Sequence, residues 1–287
     1  MPRVPETSSA SQLVSYTMCP RKYWLHYSEH APPEHKSISL VLGSAVHGAI
    51  GHHFEERLAG REPDIGTTLR VLEADLLAET VGEPVRWKEQ TFDDVLVDGA
   101  RLVSAYLAAH GTDPVAEVEH GFDVPLIDLG TGEVLGRPFR GYFDLVLDNG
   151  TVVELKTSSR TYSDDTVLRH LQLGAYAYAR TYADESAVIR VDVMVKLKRE
   201  ARVVSYAYPG ALMPWWISAA HEIERAIDAE VFPPSPGPLC IECEYRATCL
   251  KVGVPQARPR SLPIAPPPPP ESRANCVPTS GRAEASP

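Results

Sequence analysis

The segment that most constrains this chain is residues 141–158, GYFDLVLDNGTVVELKTS. Apolar runs on either side of Asp148-Asn149-Gly150 read as the two strands of a β-hairpin. Asp144, Glu154 and Lys156 interrupt those runs. A charge in a buried strand is costly unless it is paired or binds a metal. Glu154 and Lys156 are two apart and share one face. The direction of Asp144 depends on the turn. A two-residue Asn149-Gly150 loop sets it opposite Leu155, away from Glu154; a three-residue loop sets it directly opposite Glu154, because a one-residue slip exchanges the faces. Gly150 suits the positive φ that commonly ends three-residue loops. The three-residue register is expected, since it converges two carboxylates and an ammonium on one spot. Such a spot suits phosphodiester hydrolysis: carboxylates hold Mg²⁺, the metal polarises a phosphate and activates water, and Lys156 orients that water or stabilises developing charge. A surface hairpin with a Glu–Lys salt bridge would show the same short pattern, so the motif alone does not decide.

Around the hairpin, helical periodicity is read over 38–59 (Leu42, Val46, Ile50 and Phe54 every four residues), 66–79, 89–109, 166–183 and 213–229. Strand-like stretches lie at 116–126, 139–147, 151–157, 188–198 and 202–208. Helices flanking a mixed central sheet make an α/β or α+β core. The folded domain is assigned to residues 1–253. Residues 254–287, with the proline run Pro266–Pro270, read as a disordered tail that carries Cys276 as a bystander.

Hydrophobic content of 44% and charged content of 23% are those of a soluble globular protein. No stretch approaches the roughly 18–20 apolar residues of a membrane span. MPRVPETSSA has no apolar secretory segment, so the expected compartment is the cytoplasm. The net charge of −10 counts against a general nucleic-acid coat but not against a local basic groove.

Five cysteines, an odd count, argue for metal or redox chemistry over a disulfide framework. Cys240, Cys243 and Cys249 cluster beyond the Pro-rich FPPSPGP turn, and Cys19 is the one other cysteine of the folded part. Four thiolates suit zinc or an iron–sulfur cluster. Nothing else in the sequence visibly ties the two terminal segments to the core. His47, on the Leu42–Val46–Ile50 helix, is a core histidine or a ligand, and imidazole favours softer metals such as Mn²⁺ over Mg²⁺. Gln172 and Tyr176 share a helical face.

Five separated patches together resemble the PD-(D/E)XK nuclease superfamily in its RecB-like branch, and within it the CRISPR-associated exonucleases and their phage relatives. They are SSASQLVSYTMCPRKYWLHY with Cys19, LGSAVHGAI with His47, the Asp144 strand, Glu154-Leu155-Lys156, and HLQLGAYAYA with Gln172 and Tyr176. The resemblance implies an α/β restriction-endonuclease-like core with a cysteine-ligated cluster joining the N- and C-terminal segments. It implies Asp144, Glu154 and Lys156 as catalytic residues. It implies Mg²⁺ or Mn²⁺ held by His47, Asp144, Glu154 and the Leu155 carbonyl, and a 4Fe-4S cluster on Cys19, Cys240, Cys243 and Cys249. It further implies DNA contacts from Gln172 and Tyr176, with Arg169 and His170 nearby as extra phosphate contacts. The expected activity is a metal-dependent DNA exonuclease acting on single-stranded ends, with a protein partner, in CRISPR adaptation or phage-type recombination and repair. The alternatives are a non-cleaving nuclease-fold subunit that binds DNA or a partner, and a zinc-stabilised structural protein.

Overall fold

A computed structural model describes residues 4–82, 84–185 and 187–251. The Pro-rich tail assigned to 254–287 and its Cys276 lie outside the described residues.

The N-terminal segment forms α1 (Ala10–Met18) and α2 (Pro20–Tyr23), and the latter runs into a π-helical turn over Trp24–Ser28. Short strands β1 (Lys36–Ser37) and β2 (Val85–Arg86) pair in parallel beside α3 (Ile38–Leu58), α4 (Ile65–Thr80) and α5 (Phe92–His110). The sheet is built from β3 (Val115–Val124), β4 (Phe139–Leu147), β5 (Val152–Ser158), β6 (Ile189–Lys196) and β7 (Ala201–Tyr208). Helices α6 (Asp164–Leu168) and α7 (Leu171–Tyr182) connect β5 to β6. After β7 come α8 (Met213–Asp228), a 3₁₀ turn at Pro238–Ile241 and α9 (Arg246–Lys251).

Strand order is β3-β4-β5-β6-β7, with β5 and β6 parallel and the other pairs antiparallel. This is the expected mixed sheet between helical layers. Period-2 alternation sorts its side chains. Val191, Val193 and Val195 of β6 join the core beneath α7 and α8, while Met194 joins the core formed with α3, α4 and α5. The Leu42–Val46–Ile50–Phe54 stripe of α3 is buried in that second core. Full burial of one such side chain stabilises by about 1.5–3 kcal/mol.

The helix expected over 166–183 is two helices. Ser163 caps α6, its hydroxyl accepting from the Thr166 N–H at 3.2 Å. His170 then takes extended backbone (φ −74°, ψ 109°) as the N-cap of α7. Trp216 of α8 fixes the new start: its indole N–H donates to the Leu171 carbonyl at 2.7 Å. The same ring covers Gly174, where a Cβ would sit 2.3 Å from it.

The hairpin adopts the three-residue loop. Leu145 pairs with Val153 and Val146 with Val152, and the Leu147 N–H donates to the Thr151 carbonyl at 2.9 Å. Gly150 takes φ +80°. Beyond Leu145 and Val153 the two strands stop pairing, and β4 follows β3 while β5 follows β6.

The expectation that little besides cysteines ties the chain's ends is corrected by the packing. The buried Ser8 hydroxyl donates to Glu224 Oε1 at 2.7 Å. Arg137 grips the same carboxylate through Nε (2.7 Å) and a terminal nitrogen (2.8 Å). The Ser8 backbone bridges to Phe139 of β4. Tyr23 stacks on Phe232 at 5.9 Å, and the Tyr16 hydroxyl donates to the Val231 carbonyl at 2.6 Å. Tyr245 is buried against His26, its hydroxyl 2.6 Å from Nδ1. Aromatic burial and a fully hydrogen-bonded buried ion pair thus hold both ends to the sheet.

Candidate active site

The site forms where β4 and β5 part. A carboxylate replaces the missing rung of the ladder: Asp144 Oδ2 accepts the Leu155 N–H at 2.7 Å. The strand separation opens a gap that side chains from both helical layers enter. From the α7 side, Gln172 Oε1 accepts from Lys156 Nζ at 2.8 Å, and Gln172 Nε2 donates to the Tyr176 hydroxyl at 2.8 Å. Lys156 also pairs with Glu154 Oε1. From the other layer, His47 of α3 brings Nδ1 to 3.5 Å from Asp144 Oδ2, beside the Leu155 backbone. Seven sequence-predicted residues therefore meet in one place: His47, Asp144, Glu154, Leu155, Lys156, Gln172 and Tyr176.

The electrostatics follow from burial. Glu154 is 1% exposed. Desolvation, then the neighbouring Asp144 charge, pushes its carboxyl up to about 7 against the pull of Lys156. Desolvation likewise raises Asp144 to about 6, opposed by the Leu155 N–H and by Lys156. Burial works to lower Lys156, but Glu154 and then Asp144 outweigh it, and the ammonium is held above its ordinary value. Burial drives His47 down to about 4, leaving a neutral imidazole.

Among the described residues, no group of three or more His, Cys, Asp or Glu side chains is placed so that it could hold a metal ion. The donors around Asp144 nevertheless suit a divalent cation. Two carboxylates, a neutral imidazole and a strand carbonyl adjoin, and Glu154 Oε2 is buried without a hydrogen-bond partner. A lone buried carboxylate oxygen is costly, and a cation beside it would remove the cost.

Two further residues adjoin this group. Glu119, with left-handed backbone (φ +51°), lies in β3 between the pairs Val118–Leu145 and His120–Phe143, level with Asp144. Burial, then Glu154, raises its carboxyl. Its charged neighbours were unreadable without the register; the one sequence sign is a carboxylate in a strand. Tyr162 stacks on His170 at 6.1 Å. The His170 ring is driven down to about 4, first by burial and then by Lys156, and its Nδ1 is buried without a partner. Arg169 turns outward to pair with Asp165.

A cleft of about 400 Å³ opens onto the site. One wall is the Thr7–Ser11 segment at the start of α1; the other is Arg140, Gly141 and Tyr142 of β4, with Asp144, Gln172 and Tyr176 at its inner end.

The four cysteines approach one another at a separate corner, but among the described residues they do not form a group placed to hold a metal, so the expected cluster geometry is not present. The Ser235 N–H donates to Cys19 Sγ at 3.5 Å, and Cys240 Sγ donates to the Ser235 carbonyl at 3.8 Å. Cys19 lies within electrostatic reach of Cys243 and Cys249, and Cys240 within reach of Cys249. All four are free thiols. Burial is the first cause raising the Cys243 and Cys249 thiols.

No helix among the described residues is long and apolar enough to cross a membrane. No curated protein matches the chain. Among solved structures, a Eubacterium rectale protein described as a candidate exonuclease aligns with a TM-score of 0.51 at 13% identity, covering 87% of this chain and 94% of that one. At that identity the likeness concerns the fold alone. A second, SSO0001, aligns with a TM-score of 0.35 at 16% identity over 80% of this chain and 93% of that one, too loosely to bear on the argument. The sequence profile of the PD-(D/E)XK nuclease superfamily matches residues 7–250, a span containing the parted hairpin, the helices that enter it and the cysteine corner. With that match and this site, the chain belongs to the PD-(D/E)XK nuclease superfamily.

Proposed function

We propose that this chain is a divalent-cation-dependent deoxyribonuclease of the RecB-like branch, cutting phosphodiester bonds exonucleolytically from single-stranded DNA ends. The observation that carries the reading is the convergence of Asp144, Glu154 and Lys156 at the inner end of a cleft, with Glu154 Oε2 left unpartnered. His47, Asp144, Glu154 and the Leu155 carbonyl would hold Mg²⁺ or Mn²⁺. When bound, the cation supplies Lewis-acid polarisation of the phosphate and lowers the pKa of a water. Lys156, kept charged by its two carboxylates, stabilises charge developing on the phosphoryl oxygens. Gln172 fixes the lysine and Tyr176 fixes Gln172, so the ammonium is aimed before substrate arrives.

The cysteine corner is assigned a 4Fe-4S cluster on Cys19, Cys240, Cys243 and Cys249. Support comes from four free thiols that approach one another from residue 19 and from 240–249. Anaerobic protein should be brown and carry about four irons per chain; stoichiometric zinc without iron would refute the cluster. The pathway assigned is CRISPR adaptation or phage-type recombination and repair, in the cytoplasm and with a protein partner. These parts rest on the resemblance of the five motif patches.

The test is digestion of end-labelled single- and double-stranded DNA by anaerobically purified protein with Mg²⁺ or Mn²⁺. Stepwise shortening that EDTA abolishes is expected. Intact substrate with both metals, while binding persists, would favour a non-cleaving subunit.

A further inference from the structure

We propose that Tyr142 is the stacking platform for an unpaired nucleobase beside the scissile phosphate, so that the cleft admits single-stranded or frayed ends and refuses intact duplex. This rests on the nuclease reading above and adds a base-binding subsite to it.

The argument begins with an exposed ring in an apolar strand. Phe139, Phe143 and Leu145 of β4 are buried, yet Tyr142 between them is 58% exposed. Residues 140, 142 and 144 alternate to one side of the strand, about 6.6–6.8 Å apart. All three line the cleft. Read outward from the catalytic carboxylate, the row is Asp144, then an aromatic ring, then the guanidinium of Arg140, held 3.0 Å from Asp123. That spacing matches successive chemical needs of an extended nucleotide strand: a reacting phosphate, a base, and a further phosphate.

The pose of the ring is built into the sheet. Tyr142 pairs across the strands with Gly121. A Cβ at Gly121 would lie 3.1 Å from Tyr142 Cε1 and 3.5 Å from Cδ1. The ring therefore lies over a position that has no side chain, close to the β3 backbone on that side and largely exposed elsewhere. Covering a bare glycine backbone accounts for the contact with Gly121. It does not account for placing the ring at the mouth of the cleft that ends on Asp144. The facing wall, Thr7–Ser11, consists of Thr, Ser and Ala and leaves room for a flat base. Inside a duplex both faces of a base are already stacked, so only an unpaired or splayed base offers its face to such a ring.

The experiment uses the full-length protein and single-stranded oligonucleotides. Tyr142→Ala should raise KM on the order of 10-fold with kcat nearly unchanged, and Tyr142→Phe should restore wild-type values. Walking one abasic residue along the substrate should find a single position that raises KM for wild type and adds nothing for Tyr142→Ala. An unchanged KM for Tyr142→Ala, or an abasic penalty that adds fully to the mutational one, would overturn the proposal. Binding separates this from failure of the nuclease reading. With Lys156→Ala protein and a fluorescent oligonucleotide, adding Tyr142→Ala should weaken anisotropy-measured affinity by a similar factor. Equal affinity there would overturn the subsite, whether or not the protein cleaves DNA.

Discussion

The candidate active-site gap and the cysteine corner are two ways of bringing distant side chains together. The gap draws most of its residues from a short span, 144–176, and organises them before any cation is bound: Asp144 caps a strand N–H and Gln172 aims Lys156, while Glu154 Oε2 is left without a hydrogen-bond partner. The corner draws from residue 19 and from 240–249, lies half-buried, and has no hydrogen bonds joining its sulfurs to one another among those described. What brings its cysteines near is the packing beside them, in Tyr16, Tyr23, Phe232 and Tyr245. The fold makes the first site; a bound metal would finish the second. Damage to the gap should therefore cost chemistry and leave the fold, while damage to the corner should cost stability and leave the catalytic geometry.

The largest effect expected on this contrast is at the gap. Lys156→Ala or Asp144→Asn should lower cleavage by about 10³-fold or more while the thermal midpoint holds, measured on end-labelled DNA and by circular dichroism. Full activity in either variant would remove the distinction altogether. Next is the corner. Cys19→Ala and Cys243→Ala should lose iron and colour and melt lower, yet stay folded, because the aromatic contacts persist. Complete unfolding would show that the metal holds the ends and the aromatic packing does not. Gln172→Ala removes only the aim of the lysine, and about a 10-fold loss in kcat is expected with KM little changed; a pure KM effect would place Gln172 on the substrate instead.

The smallest effect is electrostatic and appears in EDTA. A carboxyl raised on folding destabilises the folded state wherever it is ionised. The penalty is absent below the ordinary value of 4.5, grows through the window up to about 7 for Glu154, and is full above it. Metal-free protein should therefore lose stability as pH rises from about 4.5 to 7. Glu154→Gln should relieve this by on the order of 2 kcal/mol at pH 8 and by nothing near pH 4, read from urea midpoints. An acid-side gain in the variant would reverse the assigned sign.

Much of this was legible in the sequence because the governing rules are local. Strand alternation and one loop residue set the hairpin register, and Gly150 decided it. The four-residue spacing on α3 located both its buried stripe and His47. Nonlocal contacts were not legible. The break at His170 depends on Trp216, 46 residues later in the chain, and Glu119 reaches the site through β3–β4 pairing and left-handed backbone. The ties at the chain's ends depend on rings whose partners lie some 200 residues away, as Tyr16 and Val231 do.

The Ser8–Glu224 contact bears on the order in which the cleft is assembled during synthesis. Its partners are separated by 216 residues, so a chain emerging from the ribosome cannot satisfy Ser8 until α8 has been synthesised. Thr7–Ser11 is also a wall of the cleft. A chain that ends before α8 can thus carry the whole hairpin, α3 and α7 with this wall held by the Ser8 backbone bonds to Pro138 and Arg140 but without the Glu224 carboxylate. On the proposed reading, the cleft gains the side-chain anchor of this wall only once translation has passed α8.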